Sequence, residues 1–238
     1  MTKLEIKNLS YAFGDKQVLR DLEIRVDKGE TVAILGPSGV GKSTLFHLIA
    51  GIYPLQKGQI LIDGRPRQAG DLSYMFQKDL LLEHKKVVDN VSLPLILAGM
   101  PKDQARQRAL ALLYDFQLDQ VADSYPKELS GGMRQRVALM RTYMMGQDLF
   151  LLDEAFSALD ELTKLDLYSW FLAMKEQLGL TSLLITHSIE EALSLADRVY
   201  ILKGQPGTMV ADLQLAWGPN SDMERAAYKR EILTALEK

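Results

Sequence analysis

Hydrophobic positions along this chain fall into short runs parted by turns, and their period changes more than once. Leu4, Ile6 and Leu9 mark one segment, and Leu22, Ile24 and Val26 alternate strictly with polar residues in the next. That period of two predicts strands with one buried face. Thr31 to Leu35 is a short apolar run followed by glycine, after which Leu45, Leu48 and Ile49 take up helical spacing. The unit predicted there is strand, glycine-rich turn and helix. Asp63-Gly64 between apolar residues predicts a tight hairpin over Gln59 to Arg65, and Leu72 to Phe76 reads as a further strand.

From Val87 to Gly146 the pattern is mainly helical. Ala105, Ala109, Leu112, Leu113 and Phe116 follow Pro101 at helical spacing, with proline at the helix start. Short apolar runs then return at Leu149 to Leu152, Thr181 to Thr186 and Arg198 to Leu202, separated by helical stretches from Glu161 and after His187. Runs of this kind predict parallel strands buried on both faces, in a fold whose ligands bind outside the strands' carboxyl ends. The reading is an α/β lobe over about 1–86 and 147–238, interrupted by a helical insertion over about 87–146, with a terminal helix over Asp222 to Lys238. No internal repeat and no low-complexity segment is seen.

Composition narrows the classes. The 238 residues are 47% hydrophobic, enough for a sizeable core, and contain no cysteine, which excludes disulfide and thiolate chemistry. The opening MTKLEIKNLS does not read as a secretory signal, and no apolar run approaches the roughly 18 residues of a membrane span. A soluble chain is expected, with any membrane role exercised through a protein partner. The net charge of -3 and the lack of a Lys/Arg block predict no nucleic-acid partner.

The chemistry is concentrated at strand ends. Gly36, Pro37, Ser38, Gly39, Val40, Gly41, Lys42 and Ser43, followed by Thr44, match the phosphate-loop pattern, in which two glycines bracket four residues before Lys-Ser. Glycines let successive N–H groups turn toward one centre, and the following helix offers its positive end. Lys42 supplies a cation for the β and γ phosphates, and Ser43 a hydroxyl for magnesium. The run LFLLDE then ends abruptly in two carboxylates. Asp153 would hold Mg2+, and Glu154 could accept a proton from an attacking water. A second helix start friendly to anions follows Ser130 at Gly131-Gly132. For Ser-Gly-Gly alone an ordinary capped helix is the simpler reading.

The segment LSGGMRQRVAL resembles the signature of the ATP-binding-cassette (ABC) ATPases, and other motifs of that family occur in order over nearly the whole chain. The resemblance implies a P-loop NTPase: a RecA-like core of mixed sheet with flanking helices, an N-terminal antiparallel β part and the inserted α-helical subdomain. It implies two chains closing head to head over two MgATP, with Ser130, Gly131 and Gly132 of one chain facing the ATP held by the other. It gives Phe13 as the ring that stacks on adenine, with Tyr11 as the competing choice. It gives Gln77 as a contact to magnesium and water, Ser157 to Asp160 as a loop communicating across the dimer through Asp160, and His187 as the switch histidine at the γ phosphate.

The stretch FQKDLLL followed by VVDNV looks like the ATPases of nitrate, sulfonate, taurine and thiamine-precursor importers, although Glu83-His84 departs from their Pro-Trp. Met133, Ala155 and Ser188 are further departures, none of which removes a catalytic group. The implied function is ATP hydrolysis powering an importer of a small solute. The implied partners are a second copy of the chain, transmembrane permease subunits and a separate substrate-binding protein, at the cytoplasmic face of the membrane. Leu80 to Leu82 are either the permease contact or core. Met140, Met144 and Met145 are expected to pack. The alternative is a soluble ABC ATPase driving a cytosolic assembly, such as one for iron–sulfur clusters. A non-hydrolysing nucleotide-binding module is opposed by the joint presence of Lys42, Asp153, Glu154 and His187.

Overall fold

The computed structural model describes residues 1–157, 159–216 and 221–237. In chain order its elements are β1 (Thr2–Phe13), β2 (Lys16–Asp27), β3 (Thr31–Leu35), α1 (Lys42–Ala50), β4 (Lys57–Ile62), β5 (Arg65–Pro66), β6 (Ser73–Met75), α2 (Val87–Leu97) and α3 (Lys102–Asp115). After them come α4 (Gly131–Tyr143), β7 (Leu149–Asp153), α5 (Glu161–Leu178), β8 (Thr181–Thr186), α6 (Ile189–Leu195), β9 (Arg198–Lys203), β10 (Thr208–Gln214) and α7 (Ser221–Glu237). The residues group into two compact units, one of 1–72, 149–154 and 179–238, the other of 73–148 and 155–178.

In the first unit β10, β9, β3, β8 and β7 neighbour one another in that order. β9, β3, β8 and β7 are parallel, and β10 joins β9 antiparallel. All of β3 and β8 and four of the five residues of β7 are buried, which is why these strands read as unbroken apolar runs. A second sheet, ordered β2-β1-β4-β5, is antiparallel, and β2 alternates buried and exposed residues over Leu22 to Val26. The turn from β4 to β5 takes left-handed backbone at Asp63 (φ 50°) and Gly64 (φ 77°), as a two-residue hairpin turn requires.

The second unit is mainly helical. α3 buries Ala105, Ala109, Leu112 and Leu113 on one face, the stripe its spacing predicts. α4 buries Val137, Ala138, Leu139 and Met140, while Met145 just beyond it is 48% exposed, so of the three methionines expected to pack, Met145 does not. α5 places Phe171 against Phe156, ring centroids 5.6 Å apart. Among the described residues no helix is long and apolar enough to cross a membrane. The strand expected over Leu72 to Phe76 is one residue shorter at each end, and Lys238, at the end of the expected terminal helix, lies outside the described residues.

Candidate functional site

The carboxyl ends of three parallel strands of the first unit are level with one another. Leu35 of β3 lies opposite Thr186 of β8, and Ile185 lies opposite Asp153 of β7. The residues that leave those ends are Gly36, His187 and Glu154, so register alone brings the glycine loop, the histidine and the carboxylate pair to one edge.

Gly36 has to be glycine for space, because a Cβ there would come within 2.3 Å of the Leu202 carbonyl oxygen on β9. Gly41, before α1, stands at φ 110°, which side chains rarely adopt, with the Leu19 side chain 2.6 Å from where its Cβ would be. Between these two fixed points Pro37, Ser38 and Gly39 are exposed and Val40 is buried as an anchor. The loop therefore offers its backbone to a ligand while one side chain holds it down, and α1 presents its N-terminal N–H groups beside it.

Lys42 is 6% exposed, and its Nζ donates to the carbonyls of Gly36 (2.7 Å) and Pro37 (3.0 Å) of its own loop. Burial pulls the ammonium below the ordinary lysine range, against the opposing pull of the Glu154 and Asp153 carboxylates. A buried cation in this position is offset most fully by an anion such as phosphate. Ser43 is exposed and Thr44 half-buried at the first turn of α1.

Glu154 adopts φ 47°, left-handed backbone in a residue that is not glycine, while its N–H donates to the Ile185 carbonyl at 3.1 Å. Such conformations cost about 1–3 kcal/mol and persist where the surroundings impose them, often at functional sites. The turn lets the chain leave β7 abruptly, with Asp153 still in the strand and the Glu154 side chain redirected toward His187. Nδ1 of His187 stands 3.5 Å from Glu154 Oε1. Ser188, one residue on, caps α6 by accepting from the Glu191 N–H at 3.2 Å.

For a divalent metal the first unit offers the Ser43 hydroxyl and the Asp153 carboxylate, both hard oxygen donors. The described residues contain no group of three or more His, Cys, Asp or Glu able to cage an ion. That donor set fits Mg2+, which keeps several waters and is held by one or two carboxylates together with a phosphate, and it does not fit a structural zinc or calcium site.

Phe13 ends β1 with its ring 47% exposed, whereas Tyr11 is 6% exposed. The two rings stand edge to face at 5.0 Å, and Tyr53 meets Phe13 edge to face at 5.6 Å. Tyr53 is a neighbour that sequence reasoning missed, since forty residues of chain separate the two and no spacing links them.

The remaining predicted residues belong to the second unit. Gln77 Nε2 donates to Ser157 Oγ at 3.4 Å, which joins the glutamine to the start of the predicted communicating loop. Asp160 accepts from the Thr163 N–H at 3.1 Å at the start of α5, and hydrogen bonds from the Thr163 side chain and main chain hold its carboxyl below the usual range. Ala158 of that loop lies outside the described residues. Ser130 caps α4, its Oγ accepting from the Met133 N–H at 3.3 Å, and leaves Gly131 at the helix's first position. Leu80 is 52% exposed and Leu81 6%, with Leu82 between, so the three leucines divide between surface and core. Gln77, Asp79, Leu80, Glu83, Arg134 and Gln135 line a cavity of 510 Å³ in this unit.

The family profile described as ABC transporter matches residues 19–157. The formylaminopyrimidine import ATP-binding protein of Halalkalibacterium halodurans is 38% identical over 236 residues, 99% of this chain and 93% of that protein. An aliphatic sulfonates import ATP-binding protein of Rhodococcus jostii is 39% identical over 236 residues, 98% of this chain and 93% of that protein. In fold the chain is similar to cbiO1 from Clostridium perfringens, part of an ABC transporter complex, with a TM-score of 0.84 over 98% of this chain and 92% of that one at 24% identity. With relatives of this identity along nearly its full length, and with its glycine loop, strand-end carboxylates and Ser130-capped helix α4 placed as described, the chain belongs to the ABC transporter family as one of its ATP-binding subunits.

Proposed function

We propose that this chain hydrolyses MgATP in a head-to-head pair of identical subunits and thereby drives the permease of an importer for a small solute. The observation that carries the reading is the shared edge of β3, β7 and β8, from which the phosphate loop, Asp153-Glu154 and His187 all emerge.

In this reading the loop N–H groups and Lys42 hold the β and γ phosphates, and Phe13 stacks on the adenine. Ser43 and Asp153 would hold Mg2+, which would supply charge neutralisation on the phosphate oxygens. Glu154 takes the proton from the attacking water, and its strained backbone keeps the carboxylate aimed off the strand end. His187, within reach of Glu154, orients toward the γ phosphate. Ser130, Gly131 and Gly132, at the start of α4, meet the ATP held by the other copy, and Asp160 links the two sites. The segment 87–146 is the helical signature subdomain of this reading, and the lobe of 1–86 and 147–238 is the catalytic one. The pair would act at the cytoplasmic face of a membrane through its permease, with a separate substrate-binding protein selecting cargo. The two relatives described above are named for chemically unlike cargoes, a formylaminopyrimidine and aliphatic sulfonates, which supports one engine serving different selective partners. Their names do not favour the alternative of a soluble assembly ATPase.

Glu154→Gln is expected to lower ATP turnover by at least about a hundredfold. It is also expected to double the mass seen by light scattering in MgATP but not in MgADP. Turnover at the ordinary rate would remove Glu154 from the role of base.

A further inference from the structure

α6 has only seven residues and begins directly after His187 and its capping neighbour Ser188. A helix that short does not hold itself together in water, so its position comes from what grips it. Its inner face is gripped by burial, with Ala192, Leu193 and Leu195 at most 2% exposed. Its outer face is gripped by α7. Arg225 donates to the Glu190 carboxylate (2.9 Å) and carbonyl (3.3 Å) in the first turn of α6, and to the Leu193 carbonyl (3.3 Å) and Ser194 hydroxyl (3.0 Å) in the last. Lys229 adds a second cation at Glu190, 2.5 Å away. α7 is itself anchored by Ile232, which is fully buried, by its Tyr228 hydroxyl accepting from the Ala216 N–H at 3.0 Å, and by Lys203 donating to the Leu236 carbonyl.

An isolated surface ion pair would contribute little to holding α6. This contact differs in kind, because one planar guanidinium spans both ends of the short helix and takes two main-chain carbonyls, so any rotation or slide of α6 breaks several bonds at once. The residues on either side of the histidine are tied to each other, and the second of them to the amino end of α6. The Ser188 N–H donates to Thr186 Oγ1 at 2.9 Å, and Ser188 Oγ accepts from Glu191. We infer that α7 is a clamp on α6 and that Arg225 is a positioning residue for His187, setting where its imidazole stands relative to Glu154. The inference rests on the role given to His187 in the proposed function.

The chain has three histidines, His47, His84 and His187, so imidazole NMR resolves each in the full-length protein. Arg225→Met is expected to shift the His187 resonance and leave His47 and His84 in place. It is also expected to lower kcat for ATP about tenfold with KM changed by less than about twofold, the pattern of a misplaced group rather than lost binding. Arg225→Lys, which keeps the charge but not the fork, falls between. Glu190→Gln, a change too small to unfold the chain, moves the same resonance in the same direction by less. An unmoved His187 resonance in both the Met and Gln variants, or an unchanged kcat in Arg225→Met while His187→Ala is inactive, overturns the clamp alone. A fully active His187→Ala overturns the role given to His187, and the inference with it.

Discussion

Lys3 is a charged side chain only 4% exposed, and its ammonium lies 2.6 Å from the Asp63 carboxylate, with Lys28 3.0 Å from the other oxygen. The hydrogen bond from Lys3 holds the Asp63 carboxyl below the usual carboxylate range. A carboxyl depressed on folding binds fewer protons in the folded than in the unfolded chain, so it adds stability above the ordinary aspartate value of about 3.9 and loses it as pH falls through the depressed one. Asp63 also occupies a left-handed turn position that asparagine tolerates, so Asp63→Asn removes the charge and leaves the turn. We expect the variant to lose about 1–2 kcal/mol at pH 7, less than a fully buried pair would cost because Asp63 is a third exposed. The gap from the natural protein should close below about pH 4, as read by urea unfolding across pH. None of this pairing was legible in the sequence, which places the two residues sixty positions apart. At the proposed site the reverse holds for the phosphate loop, because Gly36 to Ser43 is one contiguous segment whose spacing carries its own geometry.

Among elements, α4 begins at the Gly131-Gly132 pair that the proposed function sets against the other copy's ATP, and it also braces the segment that follows β6. Arg141 donates to the carbonyls of Asp79 (2.5 Å) and Leu80 (2.7 Å), and Arg134 pairs with Asp79 (3.0 Å) and Glu83 (2.9 Å). Leu80 in this segment stands at φ 47°, a conformation an unbraced leucine would leave. Arg141→Met is expected to cost about 1–3 kcal/mol, and amide hydrogen exchange should rise over 78–83 more than over β8. The type of most elements was legible because a buried parallel strand leaves an unbroken apolar run and an amphipathic helix leaves a helical period, and β8 runs from Thr181 to Thr186 as its apolar run indicates. β10 was not read at all. Thr208–Gln214 is partly exposed along most of its length, and what makes it a strand is its ladder with β9. Local propensity says little about such an edge, because pairing there is a tertiary fact.

At the scale of the whole molecule the chain crosses between its two units repeatedly, leaving the first at residue 72, returning for 149–154 and again from 179. The brief return delivers β7 and with it Asp153-Glu154, so six residues carry the carboxylates from the helical unit to the edge where the phosphate loop stands. In the proposed function this ATPase subunit acts on transport through a permease, and among the described residues no helix is long and apolar enough to cross a membrane. Affinity-tagged chain recovered from gently solubilised membranes of its native host is therefore expected to bring a multi-span membrane protein with it in stoichiometric amount. Recovery from soluble extract alone would count against the importer reading. The sequence by itself determined the parallel α/β pattern, the helical character of the stretch between β6 and β7 and the contiguity of the Gly36 to Ser43 loop, because each depends on the hydrophobic pattern or on neighbours along the chain. Only tertiary structure decided that Tyr53 stands at Phe13, that the Glu154 backbone turns left-handed toward His187, and that Arg225 grips α6. Each of those depends on residues distant in sequence being brought within hydrogen-bond or ring-contact distance, and that proximity leaves no period and no spacing to read.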